Sequence, residues 1–228
     1  MLKVIRGLYK GKRLKRVPDP RVRPMPDKLK EALFHVLEAE LRGARVLDGF
    51  AGTGSVGLEA LSRGAEFVVF VEELPAAANV LRRNLERCGA ADRAEVVVHE
   101  FNRAVIRLGK DGVVFDLIFL DPPYRLLDER DPLKVVWKRG ILAPKGRIVL
   151  RRHRKTRFEP RFFSEKRRLD LGDDTVVFYG HGKKTGEAGR PAPGRGGAGR
   201  GRAGRRSGGW EEGRCLEKET ELKYPRGR

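Results

Sequence analysis

The sequence predicts an α/β chain built on a doubly wound, mainly parallel, seven-stranded sheet. Three observations predict it. Short runs rich in Val, Ile, Leu and Phe alternate with segments of helical pattern through most of the chain. A glycine-rich stretch, LDGFAGTGSVG, follows the first long-range apolar run and opens a helical pattern. Near residue 180 the alternation gives way to two strand-like runs joined by Gly172-Asp173-Asp174, the mark of a closing hairpin.

The elements follow in order. Leu2–Ile5 and Arg13–Val17 flank a loop holding Gly7 and Gly11, a pattern for a small basic hairpin. Pro24 and Pro26 precede Asp27, read as the N-cap of a helix whose apolar positions Leu29, Ala32, Leu33, Val36 and Leu37 share one face. Strands are expected at Arg45–Phe50, Phe67–Glu72, Glu95–His99, Asp116–Leu120 and Arg147–Leu150. Their near-continuous apolar character suits burial on both faces. Helices are expected between them at Ser55–Arg63, Pro75–Arg87, Asn102–Leu108 and Asp131–Arg139, with Ser55 capping the first and Pro75 in the first turn of the second. Such alternation implies right-handed crossovers and helices on both faces. Glu165–Leu171 and Thr175–Tyr179 complete the sheet as a hairpin.

Three segments result: a basic extension and helix over 1–42, the sheet domain over 43–182, and a tail over 183–228. The tail contains GRPAPGRGGAGRGRAGRRSGG, too poor in apolar residues to offset the entropy of ordering, and is read as disordered.

Composition bounds function. The formal net charge is +19; the tail, with 13 Lys+Arg against 6 Asp+Glu, accounts for +7 of it and residues 1–182 for +12. Polyanions, nucleic acid above all, are the partners such a balance favours. Arg6, Lys10, Lys12, Arg13, Lys15 and Arg16 form one basic cluster, and Arg151, Arg152, Arg154 and Lys155 a second one after the fifth strand. No apolar run reaches membrane-spanning length and the N-terminus lacks the apolar centre of a secretory signal, so a cytoplasmic protein is expected. Two cysteines, Cys88 and Cys215, and four scattered histidines offer neither a disulfide framework nor a metal-ligand pattern; no metal and no membrane partner is expected.

Two motifs carry the chemistry. Gly52 to Gly57 satisfies GxGxxG, and Glu72 ends the next strand where a ribose-binding acid belongs. Asp48, on the strand end before the glycines, separates the possible ligands. Its carboxylate repels a pyrophosphate and attracts an ammonium group such as that in the methionine part of S-adenosylmethionine. The second motif is FLDPPYR, residues 119–125, at the carboxyl end of the fourth strand, on the edge where open α/β sheets bind substrates. Its two prolines stiffen the turn and remove two backbone donors. Carbonyls and the Asp121 carboxylate remain as acceptors, suited to an exocyclic amine on a nucleobase. Asp121 and the Pro122 carbonyl would hold the two N–H groups, and Tyr124 would stack on the base.

These stretches, LDGFAGTGSVGLEALSRGA, VEE and LDPPY, with VIRGLYKGKRL and RPMPDKLKEALF near the N-terminus, resemble the RsmD family of 16S rRNA (guanine-N2)-methyltransferases over roughly residues 1–182. The resemblance implies a Rossmann-like class I fold and S-adenosylmethionine as cofactor. The implied substrate is 16S rRNA, free or in a small-subunit assembly intermediate; apart from the resemblance, a monomer is expected. The resemblance places Asp48, Gly52 and Gly54 around the methionine end of the cofactor, Glu72 at the ribose, Phe101 or Asn102 near the adenine, and Asp121, Pro122 and Tyr124 at the guanine; Phe50 and Asp121 are also expected to border the cofactor. Two positions depart from the family pattern. Met25 stands where the family has Thr, and Phe101 near the place where such enzymes carry Asp or Asn. An adenine-N6 or cytosine-N4 amino methyltransferase on DNA or other RNA shares DPPY, an NAD(P)-dependent oxidoreductase shares GTGSVG, and a nonenzymatic RNA-binding module shares the charge. All three remain open at this point.

Overall fold

A computed structural model describes residues 2–19, 24–123 and 126–182. The tail expected over 183–228 and the stacking residue Tyr124 lie outside these residues.

The described chain runs α1 (Asp27–Leu41), β1 (Arg45–Asp48), α2 (Ser55–Ser62), β2 (Phe67–Glu72), α3 (Pro75–Cys88), a 3-10 turn (Ala91–Arg93), β3 (Ala94–Val98), α4 (Phe101–Lys110) and β4 (Phe115–Leu120). It continues through α5 (Leu126–Glu129), α6 (Pro132–Arg139), β5 (Leu142–His153), β6 (Phe163–Leu171) and β7 (Asp174–His181). The sheet order is β3-β2-β1-β4-β5-β7-β6. Strands β1 to β5 pair in parallel; β5–β7 and β7–β6 are antiparallel. The order reverses direction between β1 and β4, which opens a crevice at their carboxyl ends.

Pleating divides the core between the two faces. Leu117, Phe119, Val149, Val176 and Phe178 join a cluster with Leu29, Leu33, Phe34 and Leu37 of α1 and with apolar residues of α2 and α3. The intervening Ile118, Leu120, Ile148 and Leu150, all fully buried, turn to the opposite face. There α4 meets α6 so closely that a Cβ at Gly109 would lie 2.7 Å from Cβ of Arg139. Fully burying each such large apolar side chain contributes about 1.5–3 kcal/mol.

The N-terminal segment is stitched to the core. Its two arms meet as the expected small hairpin at the antiparallel bridge Lys3–Arg13, where the Val4 amide donates to the Lys12 carbonyl (3.0 Å), the Gly11 amide to the Val4 carbonyl (2.9 Å) and the Leu14 amide to the Leu2 carbonyl (2.9 Å). What fixes it is α2 and α3. Glu59, fully buried, accepts the amides of Ile5 (2.7 Å) and Arg6 (3.0 Å) and pairs with Arg63 (2.8 Å). Asn84 brackets Lys15 at both amide and carbonyl, and also donates to the Thr53 carbonyl at 2.9 Å. One side chain thus ties the basic segment to the glycine loop.

Several local expectations need correction. Asp27 is the first helical residue and makes no cap; Pro26 holds the N-cap position. Ser55 likewise lies inside α2, where Gly54 at φ 77° is the N-cap, because only glycine takes that backbone without strain. Strand β5 starts five residues earlier than Arg147 because Ala143-Pro144-Lys145-Gly146 pairs irregularly, with a register shift against β4, and lacks the apolar signature of a strand.

Candidate active site

The carboxyl ends of β1, β2 and β4 surround a cavity of about 540 Å³. Asp48, Phe50, Gly52, Glu72, Phe101, Asp121 and Pro122 line it together, along with Met25, Gly49, His99 and Arg151.

The half of the cavity where the cofactor is expected is built from backbone amides. Asp48 is 3% exposed, and its Oδ2 accepts the Gly57 amide at 3.0 Å; Oδ1 accepts no hydrogen bond among the described residues. Burial raises the Asp48 pKa to about 7, with the nearby Asp121 and Glu72 carboxylates adding to the rise and the Gly57 amide opposing it. Glu72 accepts the Gly52 amide at 2.7 Å through Oε2 and the Leu74 amide at 2.8 Å through Oε1. Its pKa too is raised by burial, against these amides. Gly54 closes the loop: a Cβ there would lie 2.1 Å from Cδ1 of Leu81.

Phe50 stacks on Phe101 with ring centroids 4.9 Å apart and 25° between planes, forming an apolar wall. Gly49 permits this approach, since a Cβ there would lie 2.7 Å from the Phe101 ring. Asn102 does not line the cavity. One helical step of about 100° carries it off the face that Phe101 presents. His99 was missed in the sequence because no motif marks it, and Gly49, although it stands in LDGFAGTGSVG, was not singled out because the rings and side chains that crowd it, Phe101 and Leu120, lie far along the chain.

The half where the substrate is expected rests on side chains. Asp121 follows β4 and pairs through Oδ2 with Nη1 of Arg151 at 2.8 Å. Arg151, 7% exposed, also grips both oxygens of Asp174 on β7, at 3.0 and 3.2 Å. Burial raises the Asp121 pKa while Arg151 opposes the rise. Oδ1 of Asp121 accepts no hydrogen bond among the described residues. The Pro123 carbonyl accepts the Leu126 amide at 2.8 Å, which starts α5. Of the second basic cluster, Arg151 and Arg152 lie within β5 rather than after it and are buried; the sequence signal that would have found the Arg151 clamp is its position level with Asp121, since Leu120 pairs with Leu150.

Among the described residues no group of three His, Cys, Asp or Glu side chains is placed to hold a metal ion. No helix there is long and apolar enough to cross a membrane.

The chain is similar to several known proteins. Ribosomal RNA small subunit methyltransferase D of Haemophilus influenzae is 32% identical over 149 residues, covering 65% of this chain and 77% of that protein. A putative rRNA methyltransferase of Bacillus subtilis is 36% identical over 148 residues, covering 65% and 80%. The solved structure of a putative methyltransferase from Escherichia coli superposes with a TM-score of 0.70 at 28% identity, over 79% of this chain and 97% of that one. An RNA methyltransferase from Salinibacter ruber, solved with S-adenosyl-L-homocysteine, shares the fold at a TM-score of 0.57 and 18% identity, over 73% of this chain and 98% of its own. The model of the family described as "Conserved hypothetical protein 95" matches residues 2–180, and the chain belongs to that family, the RsmD family its motifs resemble.

Proposed function

We propose that this protein methylates the exocyclic N2 amine of a guanine in small-subunit rRNA, with S-adenosylmethionine as methyl donor. The observation that carries the reading is one cavity holding both an ammonium-ready carboxylate, Asp48, and a rigid acceptor set, Asp121-Pro122. The names of the Haemophilus and Bacillus relatives support rRNA as the substrate class. So does the charge of +12 that residues 1–182 carry.

The residues present fit the cofactor. Asp48 lines the cavity and its Oδ1 accepts no hydrogen bond among the described residues, which suits an ammonium group; a pyrophosphate there would meet a buried carboxylate, which argues against a dinucleotide. Glu72, fixed by two amides, keeps lone pairs for ribose hydroxyls. The Phe50–Phe101 wall offers an apolar face to the adenine. When bound, S-adenosylmethionine supplies an electrophilic methyl group.

The rest is the work of this chain. Asp121 Oδ1 and the Pro122 carbonyl accept the two N–H groups of the amine, turning its lone pair toward the cofactor half. Arg151 holds the other Asp121 oxygen, so the carboxylate cannot swing away. Burial makes Asp121 a stronger base than an exposed aspartate, and it takes the proton that the amine releases as its lone pair becomes a bond. Because the amine must reach the cavity, the target guanine is unpaired or flipped from its stack. Tyr124 is assigned to stack on it.

The test is transfer of labelled methyl to small-subunit rRNA from cells lacking this protein, free and in assembled particles, followed by nucleoside analysis. Label in N2-methylguanosine is expected. Label confined to methyladenosine or methylcytidine would keep the mechanism and overturn the base assignment; no label in any RNA would overturn the substrate class.

A further inference from the structure

Arg151 and Arg152 are neighbours on β5, so pleating sends their side chains to opposite faces of the sheet. Arg151 reaches the catalytic cavity. Arg152 lines a second cavity, of about 870 Å³, walled by the 154–160 loop and by β6 and β7. Arg152 is only 6% exposed, yet it makes no ion pair among the described residues. Two backbone carbonyls, of Thr156 and His153, take its Nη1, and its Nε is buried with no acceptor. A buried, unpaired guanidinium is costly unless an anion compensates it.

The surroundings supply donors rather than that anion. Tyr179 lines the same cavity at 2% exposure, and its hydroxyl makes no hydrogen bond among the described residues. Burial pushes its pKa up to about 12, so it stays a neutral donor. The side chains of Arg154 and Arg157 are exposed at the rim and likewise make no hydrogen bond or ion pair among the described residues. Of the two carboxylates present, Glu165 is occupied by Arg168 at 2.7 and 3.0 Å; Glu159 is exposed at the rim. Four guanidiniums therefore face two carboxylates, one of them already spent.

We infer that this cavity is a phosphate site that holds the RNA backbone beside the target nucleotide. The inference rests on the proposed RNA substrate and adds where the strand lies. With the target base against Asp121, a flanking phosphate crosses the carboxyl end of β5 and settles on the opposite face of the sheet. Arg152 and Tyr179 form its floor, and Arg154 and Arg157 close over it. Such contacts position a strand without reading its sequence.

The experiment measures binding of protein-free small-subunit rRNA at several salt concentrations. It compares wild type, the rim pair Arg154→Gln/Arg157→Gln, the floor variant Tyr179→Phe, and the control pair Arg42→Gln/Lys110→Gln. The control removes equal charge beside the amino ends of β1 and β4, away from the carboxyl ends that face the cavities. The rim pair should bind roughly tenfold more weakly at low salt, with the slope of log K against log salt reduced by about one to two. Tyr179→Phe should weaken binding a few-fold with the slope unchanged. Affinity for S-adenosylhomocysteine should stay at the wild-type value in both. Rim and control pairs with the same affinity and slope would overturn the phosphate site. Methyl transfer is read in parallel: a wild type that methylates no RNA counts against the proposed function, whereas equal salt slopes count against this site alone.

Discussion

The two halves of the active cavity hold their carboxylates by opposite means. Asp48 and Glu72 are held by backbone amides of the glycine loop and its neighbours, at 2.7 to 3.0 Å. Asp121 is held by a side chain, Arg151, which is itself anchored on Asp174 of β7. Amide scaffolding makes the cofactor half local, the property of one loop and two strand ends. Guanidinium scaffolding makes the substrate half depend on β4, β5 and β7 at once. The difference teaches that damage to the first should appear as lost cofactor affinity, and damage to the second as lost turnover with affinity kept.

The sharpest way to break that contrast is Arg151→Met. It strips the partner from Asp121 and Asp174 together, in a site where the Arg151 side chain is 8% exposed. Removing one member of such a buried network costs on the order of 3 kcal/mol. Thermal unfolding should shift down accordingly, and methyl transfer should fall by roughly a hundredfold or more. S-adenosylhomocysteine affinity, measured below the new melting transition, should change little. Next in size is Asp48→Asn, which removes the charge facing the ammonium group. Calorimetry should show S-adenosylhomocysteine affinity reduced roughly 10- to 100-fold.

A smaller effect follows from pH. Asp48 has its pKa raised to about 7 by burial first of all. Below about pH 7 the neutral acid is the favoured form in the free protein. This group therefore costs stability progressively as pH rises from its unfolded value near 4 to about 7, and no further above. Ligand binding has the opposite sign, because a cationic ammonium favours the carboxylate. Affinity for S-adenosylhomocysteine should rise by up to tenfold per unit as pH approaches 7, then decline above about 8 as the ligand's own amino group loses its proton. Asp48→Asn should flatten the acidic limb only.

The same contrast explains what the sequence could tell. Asp48, Gly52, Gly54 and Glu72 were legible because amide scaffolding is local: glycines at fixed spacing after a strand, with an acid on the next one. The strands read well for a similar reason; Phe67–Glu72 matches the prediction end to end. Arg151 was read only as one member of a basic cluster because its partners are 30 and 23 residues away, and only the strand register brings them together. The Glu59 and Asn84 anchors of the N-terminal segment were hidden likewise, since a polar residue on a helix carries no sign of what it will meet. Four-residue α5 is too short to show a period.

The most direct test of two separable halves is Asp121→Asn, read by methyl transfer to small-subunit rRNA and by S-adenosylhomocysteine calorimetry on the same preparation. Transfer reduced by about 10²–10⁴, with affinity within a factor of about two of wild type, is the predicted result. Full transfer by Asp121→Asn, or loss of transfer accompanied by an equal loss of S-adenosylhomocysteine affinity, would contradict the account.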